Sequence, residues 1–149
     1  QTNLKSAYLV SRVALPELEK SKCGAIVFTS SVAGIRNIGI DYVSYTTTKG
    51  ALIPFSRSIA IQYARRNVRS NCVIPGLMDT PRIYAGLHKA YADGDKQEMA
   101  RIRAEQCPMG FMGNAWDVAK AVTFLASDDA RYITATELIV DGGISAKVS

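Results

Sequence analysis

The chain has 149 residues, a formal net charge of +5, 48% hydrophobic and 21% charged residues, the composition of an ordinary soluble globular domain. Such a length builds one core and excludes a disordered, collagenous or disulfide-framed chain. Its Lys and Arg residues are scattered, with no basic stripe interleaved with stacking aromatics, so nucleic acid is not expected as a partner.

Residues 3–19 place apolar side chains at Leu4, Tyr8, Leu9, Val13, Leu15 and Leu18, a helical spacing in which Pro16 predicts a kink near the end. Gly24 breaks the pattern, and Ala25-Ile26-Val27-Phe28-Thr29 predicts a strand covered on both faces. Ser30 and Ser31 stand at its C-terminal end. After a loop from Gly34 to Gly39, a second long helix is expected over residues 42–66. Pro54 should bend it by removing the bond to the Gly50 carbonyl, and Arg65-Arg66 closes it where the helix dipole favours cations. Residues 68–74 predict a second strand, ended by Pro75-Gly76. The polar, charge-alternating residues 81–113 predict one or two short surface helices. Asn114 is placed to cap a helix over residues 116–126, and residues 138–140 predict a last strand closed by Asp141-Gly142-Gly143.

Helices alternating with strands argue an α/β fold with a parallel sheet and right-handed crossovers, without repeat or linker. Ligands of such sheets bind beyond the carboxyl ends of the strands, here just after residues 29, 75 and 140. Cys23, Cys72 and Cys107 are odd in number and widely separated, which predicts reduced, mostly buried thiols rather than a disulfide frame or zinc site. No run is long enough to span a bilayer and no leader pattern opens the sequence, so no membrane partner and a cytoplasmic location are expected.

Tyr45 and Lys49, four residues apart on the second predicted helix, share one face. A phenol with a pKa near 10 is a poor base at neutral pH, and an ammonium held close favours its phenolate. Spacing alone thus offers a proton donor or acceptor with the charge that tunes it. A pair this common, taken by itself, reads as a solvated lysine and a half-buried tyrosine. Ser30-Ser31 strengthens the proton-transfer reading, because a hydroxyl at the end of a buried strand can bond the oxygen that Tyr45 protonates. So does Pro75-Gly76-Leu77-Met78-Asp79-Thr80-Pro81, whose Gly76 admits a ligand close to the backbone and whose Thr80 supplies a hydroxyl.

Four segments, residues 29–34 (Thr-Ser-Ser-Val-Ala-Gly), 45–50 (Tyr-Thr-Thr-Thr-Lys-Gly), 71–76 (Asn-Cys-Val-Ile-Pro-Gly) and 138–143 (Leu-Ile-Val-Asp-Gly-Gly), stand in the order found in short-chain dehydrogenases. Over essentially its whole length the chain resembles the C-terminal, catalytic half of the short-chain dehydrogenase/reductase family. The resemblance implies part of a single Rossmann-like domain, a doubly wound parallel sheet of which residues 1–149 hold about three strands with covering helices. It implies hydride transfer between NAD or NADP and a secondary alcohol or ketone. Tyr45 would be the general acid/base, Lys49 would favour its phenolate and bond the nicotinamide ribose, and Ser31 would position the substrate oxygen. Asn3 would support a proton-relay water, its rival role being a plain N-cap. Pro75 and Gly76 would border the nicotinamide, Ile74 and the backbone near Met78 would face it, and Thr80 would bond its carboxamide or the adjacent phosphate. No metal is implied. The two long helices imply a homodimer or homotetramer.

The family's Gly-rich cofactor-binding half would precede Asn3, so the isolated chain is expected to bind NAD(P)H weakly or not at all and to expose the edge of its first strand. The competing reading is a non-catalytic remnant that acts only as an oligomerisation module. The interval from Ser31 to Tyr45 is one residue longer than is common in the family, which predicts a bulged loop. Phe111 replaces a frequent Arg, and Ala135 stands where Gly is usual, a strained substitution if the backbone there needs positive φ. Tyr42 is assigned to packing or the pocket rim, His88 to a solvated surface, and Met109, Met112 and Trp116 to core or subunit contacts.

Overall fold

The computed structural model describes residues 2–39, 42–86 and 95–147. Helix α1 (Leu4–Leu18) leads to β1 (Gly24–Thr29), a 3-10 turn (Val32–Gly34), α2 (Val43–Gly50), α3 (Leu52–Tyr63) and β2 (Val68–Pro75). Then come β3 (Met78–Asp79), α4 (Pro81–Gly86), α5 (Lys96–Gln106), β4 (Gly113–Asn114), α6 (Ala115–Ala126) and β5 (Glu137–Val140).

The three long strands form a parallel sheet in the order β1-β2-β5. Central β2 is buried from Val68 to Ile74, as a strand covered on both faces must be. Its alternate residues show what covers each face. Ser70 shares a hydrogen bond with Ser56 of α3 at 2.9 Å, and the Cys72 thiol donates to the Leu52 carbonyl. On the other face Arg69 donates to the Leu125 and Ser127 carbonyls at 2.7 and 3.0 Å, satisfying the C-terminal end of α6. Leu15 of α1, Phe28 of β1, and Leu52, Ile53 and Ile59 of α3 pack with Val68, Cys72 and Ile74 into the main core cluster. Helices on both faces of a parallel sheet make the fold α/β and Rossmann-like, as the alternation predicted.

The expected helix over residues 42–66 is interrupted where Pro54 cannot donate to the Gly50 carbonyl, as anticipated: α2 and α3 meet at Ala51, which keeps helical φ and ψ of −64° and −21°, and Pro54 falls in the first turn of α3. A 3-10 turn (Ala64–Arg66) ends the segment, Asn67 turns the chain with φ 59°, and Arg66 pairs with Glu19 at 2.9 Å. Residues 81–113 yield both α4 and α5, and α6 opens with the anticipated Asn114 cap, reinforced by Asp117 as a capping box. The two-residue parallel pair β3–β4 carried no periodic signal.

Cys72 and Cys107 are buried, whereas Cys23 is exposed, a correction to the expectation for that thiol. Trp116 and Met109 are exposed too, so neither is a core residue of this chain. No helix among the described residues is long and apolar enough to cross a membrane. Within the described sheet β1 pairs on one side only, and the cleft between its other edge and α1 is lined by Ala7, Val10, Ile26 and Phe28.

Ala135 has φ 60° while its N–H donates to the Ser70 carbonyl at 2.8 Å. A side chain in the left-handed region costs about 1–2 kcal/mol, part of which glycine returns through its freer unfolded chain. Ala135→Gly should therefore raise stability by about 0.5–1 kcal/mol, read as a higher urea midpoint; an unchanged or lower midpoint would show that no strain resides there.

Candidate active site

Because the sheet is parallel, the C-terminal ends of β1, β2 and β5 open on one side of the molecule. At the end of β1 a reciprocal clamp joins strand to helix. The Ser30 hydroxyl donates to the Lys49 carbonyl at 2.8 Å, and the Lys49 ammonium donates to the Thr29 carbonyl at 2.7 Å. The Ser30 N–H continues the sheet ladder to the Val73 carbonyl at 2.9 Å. Ser30 is thus the residue that fixes the position of Lys49, a role the sequence signalled only as a doubled serine.

Two glycines let the segments meet. A Cβ on Gly34 would lie 2.7 Å from the Gly50 nitrogen, and one on Gly50 would lie 2.9 Å from the Gly34 oxygen. Any larger residue at either position would push the 3-10 turn away from α2. Ser31 precedes that turn in extended conformation, 8% exposed, and its Oγ accepts the Ala33 N–H at 3.2 Å. That contact uses a lone pair and leaves the hydroxyl hydrogen for another acceptor.

Tyr45 and Lys49 lie on α2, with Nζ 5.9 Å from the Tyr45 ring centroid. Tyr45 is 39% exposed, and Tyr42 meets it edge-on at 6.3 Å, the packing role anticipated for Tyr42. Burial lowers the Lys49 pKa from its ordinary value, since desolvation penalises the ammonium.

Asn3 does not act as a side-chain cap. Its Nδ2 donates to Thr48 Oγ1 at 3.0 Å, while the Thr48 hydroxyl lies 2.8 Å from the Ser44 carbonyl as its donor. The start of α1 is thereby tied to α2 between Tyr45 and Lys49, which disfavours the N-cap alternative.

The strand end at residues 74–80 is held by contacts within the protein. Ile74 belongs to the buried core, so its side chain faces α3 and not a ligand. Gly76 is required by the protein itself: a Cβ there would lie 2.6 Å from the Cα and Cβ of Asp141. The Asp141 carboxylate in turn accepts the N–H groups of Gly143 and Ser145, both at 2.8 Å. Pro75 and Gly76 are partly buried at the sheet crest, Met78 lies on β3 opposite Gly113, and the Thr80 carbonyl accepts the Ile83 N–H at 3.1 Å. His88 and part of the loop between Ser31 and Tyr45 lie outside the described residues. Among the described residues no three His, Cys, Asp or Glu side chains converge as metal ligands.

Residues 1–145 match the family described as Enoyl-(Acyl carrier protein) reductase. A tropinone reductase homologue of Arabidopsis thaliana is 38% identical over 144 residues, covering 97% of this chain and 52% of the relative. Among solved structures, one described as a short-chain dehydrogenase/reductase from Burkholderia xenovorans superposes with a TM-score of 0.91 at 43% identity, over 99% of this chain and 55% of that one. ElxO, solved with NADP bound, gives a TM-score of 0.83 at 30% identity over 97% and 56% of the two chains. The chain spans about half the length of the curated relatives it matches. With sequence and fold agreeing from α1 through β5, the chain belongs to the short-chain dehydrogenase/reductase family.

Proposed function

We propose that this chain supplies the proton-transfer half of an NAD(P)-dependent oxidoreductase acting on a secondary alcohol or ketone, with Tyr45 as the general acid/base. The observation that carries the reading is the clamp at the end of β1, which holds the Lys49 ammonium beside the Tyr45 ring and Ser31 at the neighbouring strand end.

The residues suit a nicotinamide nucleotide. Lys49 uses one N–H on Thr29 and keeps two for ribose hydroxyls, and Pro75, Gly76, Met78 and Thr80 follow at the C-terminal end of β2, the strand that pairs with β1, with Ile74 contributing only backbone. ElxO, solved with NADP, supports the cofactor class. When bound, the cofactor supplies or accepts the hydride. Tyr45 gives its phenolic proton to the carbonyl oxygen during reduction and recovers it in the reverse direction. Ser31 donates its free hydroxyl hydrogen to the same oxygen, and Lys49 offsets the negative charge left on Tyr45. Asn3 acts through Thr48 to hold α2 in place.

Leu9, Val10 and Val13 stand exposed along α1, which supports a homodimer or homotetramer. Two buried free thiols suit a reducing cytoplasm. The clamp also favours the enzymatic reading over a pure oligomerisation module, since subunit pairing alone does not call for a lysine desolvated beside a tyrosine. The reading is tested by following reduced-nicotinamide consumption over a panel of ketones, with this chain joined to a dinucleotide-binding half. Ketone-dependent consumption is expected; a folded, cofactor-binding protein inactive on every ketone would contradict it.

A further inference from the structure

A second, open cavity of about 560 Å³ lies between the loop that follows Ser31, the end of α5 and the C-terminal turn. Its walls include Val32, Arg36, Ile38, Gln106, Ile144 and Lys147, and its size falls within the roughly 300–1,000 Å³ of small-molecule sites. Val32 directly follows Ser31, so the cavity begins one residue from the proposed oxygen-binding hydroxyl.

Arg36 and Lys147 bring two cations to this cavity, and among the described residues no Asp or Glu lines it. Neither cation has an ion-pair partner among the described residues. Arg36 spends one N–H on the Lys147 carbonyl at 3.2 Å, which ties the loop to the C-terminal turn and leaves the rest of its donor fork unused. The Asp141 carboxylate forms an ion pair with neither among the described residues and accepts the Gly143 and Ser145 N–H groups instead. In the same wall the buried Gln106 Oε1 has no hydrogen-bond partner among the described residues, an acceptor awaiting a donor.

We infer that this cavity is an anion subsite, and that the substrate of the proposed reaction is a carbonyl compound or alcohol carrying a carboxylate or similar anionic group. Arg36 and Lys147 bind the anion, apolar Val32, Ile38 and Ile144 hold the carbon skeleton, and Gln106 accepts a hydroxyl or N–H of the ligand. The inference rests on the proposed reaction for the word substrate, and on the cavity alone for the binding of an anion.

The test separates the two. The nitrogen-labelled protein is titrated at low ionic strength with levulinate and with methyl levulinate, following the Arg36 Nε–H and Gln106 side-chain resonances. Levulinate should move both resonances and bind about tenfold or more tightly than the ester, a preference that added salt weakens. An Arg36→Gln/Lys147→Gln variant should lose the preference while keeping its weak ester binding, Arg36→Lys should retain part of it, and Tyr45→Phe should leave it intact. Equal binding of acid and ester, an acid preference that survives in the double variant, or no response at either side chain would overturn the inference. Acid-selective binding by a chain that, once joined to a dinucleotide-binding half, binds cofactor yet turns over no ketone would leave the subsite standing and sink the proposed reaction.

Discussion

Tyr45→Phe should lower kcat by about two to four orders of magnitude, the usual scale of a positioned general acid or base, in an enzyme that joins this chain to a dinucleotide-binding half. The substitution removes one oxygen and keeps the ring, so the edge-on contact with Tyr42 and the position of Lys49 over the ring should survive. Cofactor affinity, read by calorimetry, should change little, because the proposed ribose contact belongs to Lys49. Lys49 is held independently of the phenol by its bond to the Thr29 carbonyl and by Ser30 on its own carbonyl. A variant that keeps a tenth or more of the wild-type rate would remove Tyr45 from the chemistry.

The largest stability effect is expected at Asn71, which is wholly buried in the middle of β2. Its Nδ2 donates to the Ile133 carbonyl at 3.0 Å and its Oδ1 accepts the Thr136 N–H at 3.1 Å. This one side chain thus holds the turn that feeds β5 into the sheet. Just beyond it the Cys72 N–H donates to the Thr136 carbonyl, and the register Cys72 with Glu137 begins. Asn71→Ala strips a donor and an acceptor from that part-buried turn and opens a void, so a loss of about 3 kcal/mol in urea unfolding is expected. As a contrast, Arg101→Ala removes an exposed residue paired with Glu98 and Glu105, both at 2.6 Å, and should leave the urea midpoint nearly unchanged. Equal effects from the two substitutions would mean that Asn71 does not organise the approach to β5.

The sequence carried the sheet well because its strands are apolar runs bounded by glycine or proline. Gly24, Pro75-Gly76 and Asp141-Gly142-Gly143 mark boundaries that the structure respects to within a residue or two. The interruption at Ala51 was legible from Pro54, which cannot donate to the Gly50 carbonyl, although the apolar spacing runs through it unchanged. The strain at Ala135 was legible, since a side chain where relatives usually carry glycine points to backbone of positive φ. The four-residue spacing put Tyr45 and Lys49 on one face and the family motifs singled them out, but their support could not be read. The Ser30 clamp, the Gly34–Gly50 contact and the Asn3–Thr48 bond each join residues far apart in the chain, where no local pattern reports them. Gly76 also makes room for Asp141, a close approach that no local pattern reports.

The central claim is that these strand ends carry out hydride transfer with Tyr45 moving the proton. Its most direct test uses reduced nicotinamide cofactor deuterated at the transferable position, with the ketone the enzyme consumes fastest, and mass analysis of the alcohol formed. One deuterium on the carbinol carbon, formed by the wild type and almost absent with Tyr45→Phe, is the predicted result. An alcohol without deuterium, or one formed equally by both proteins, would contradict the account.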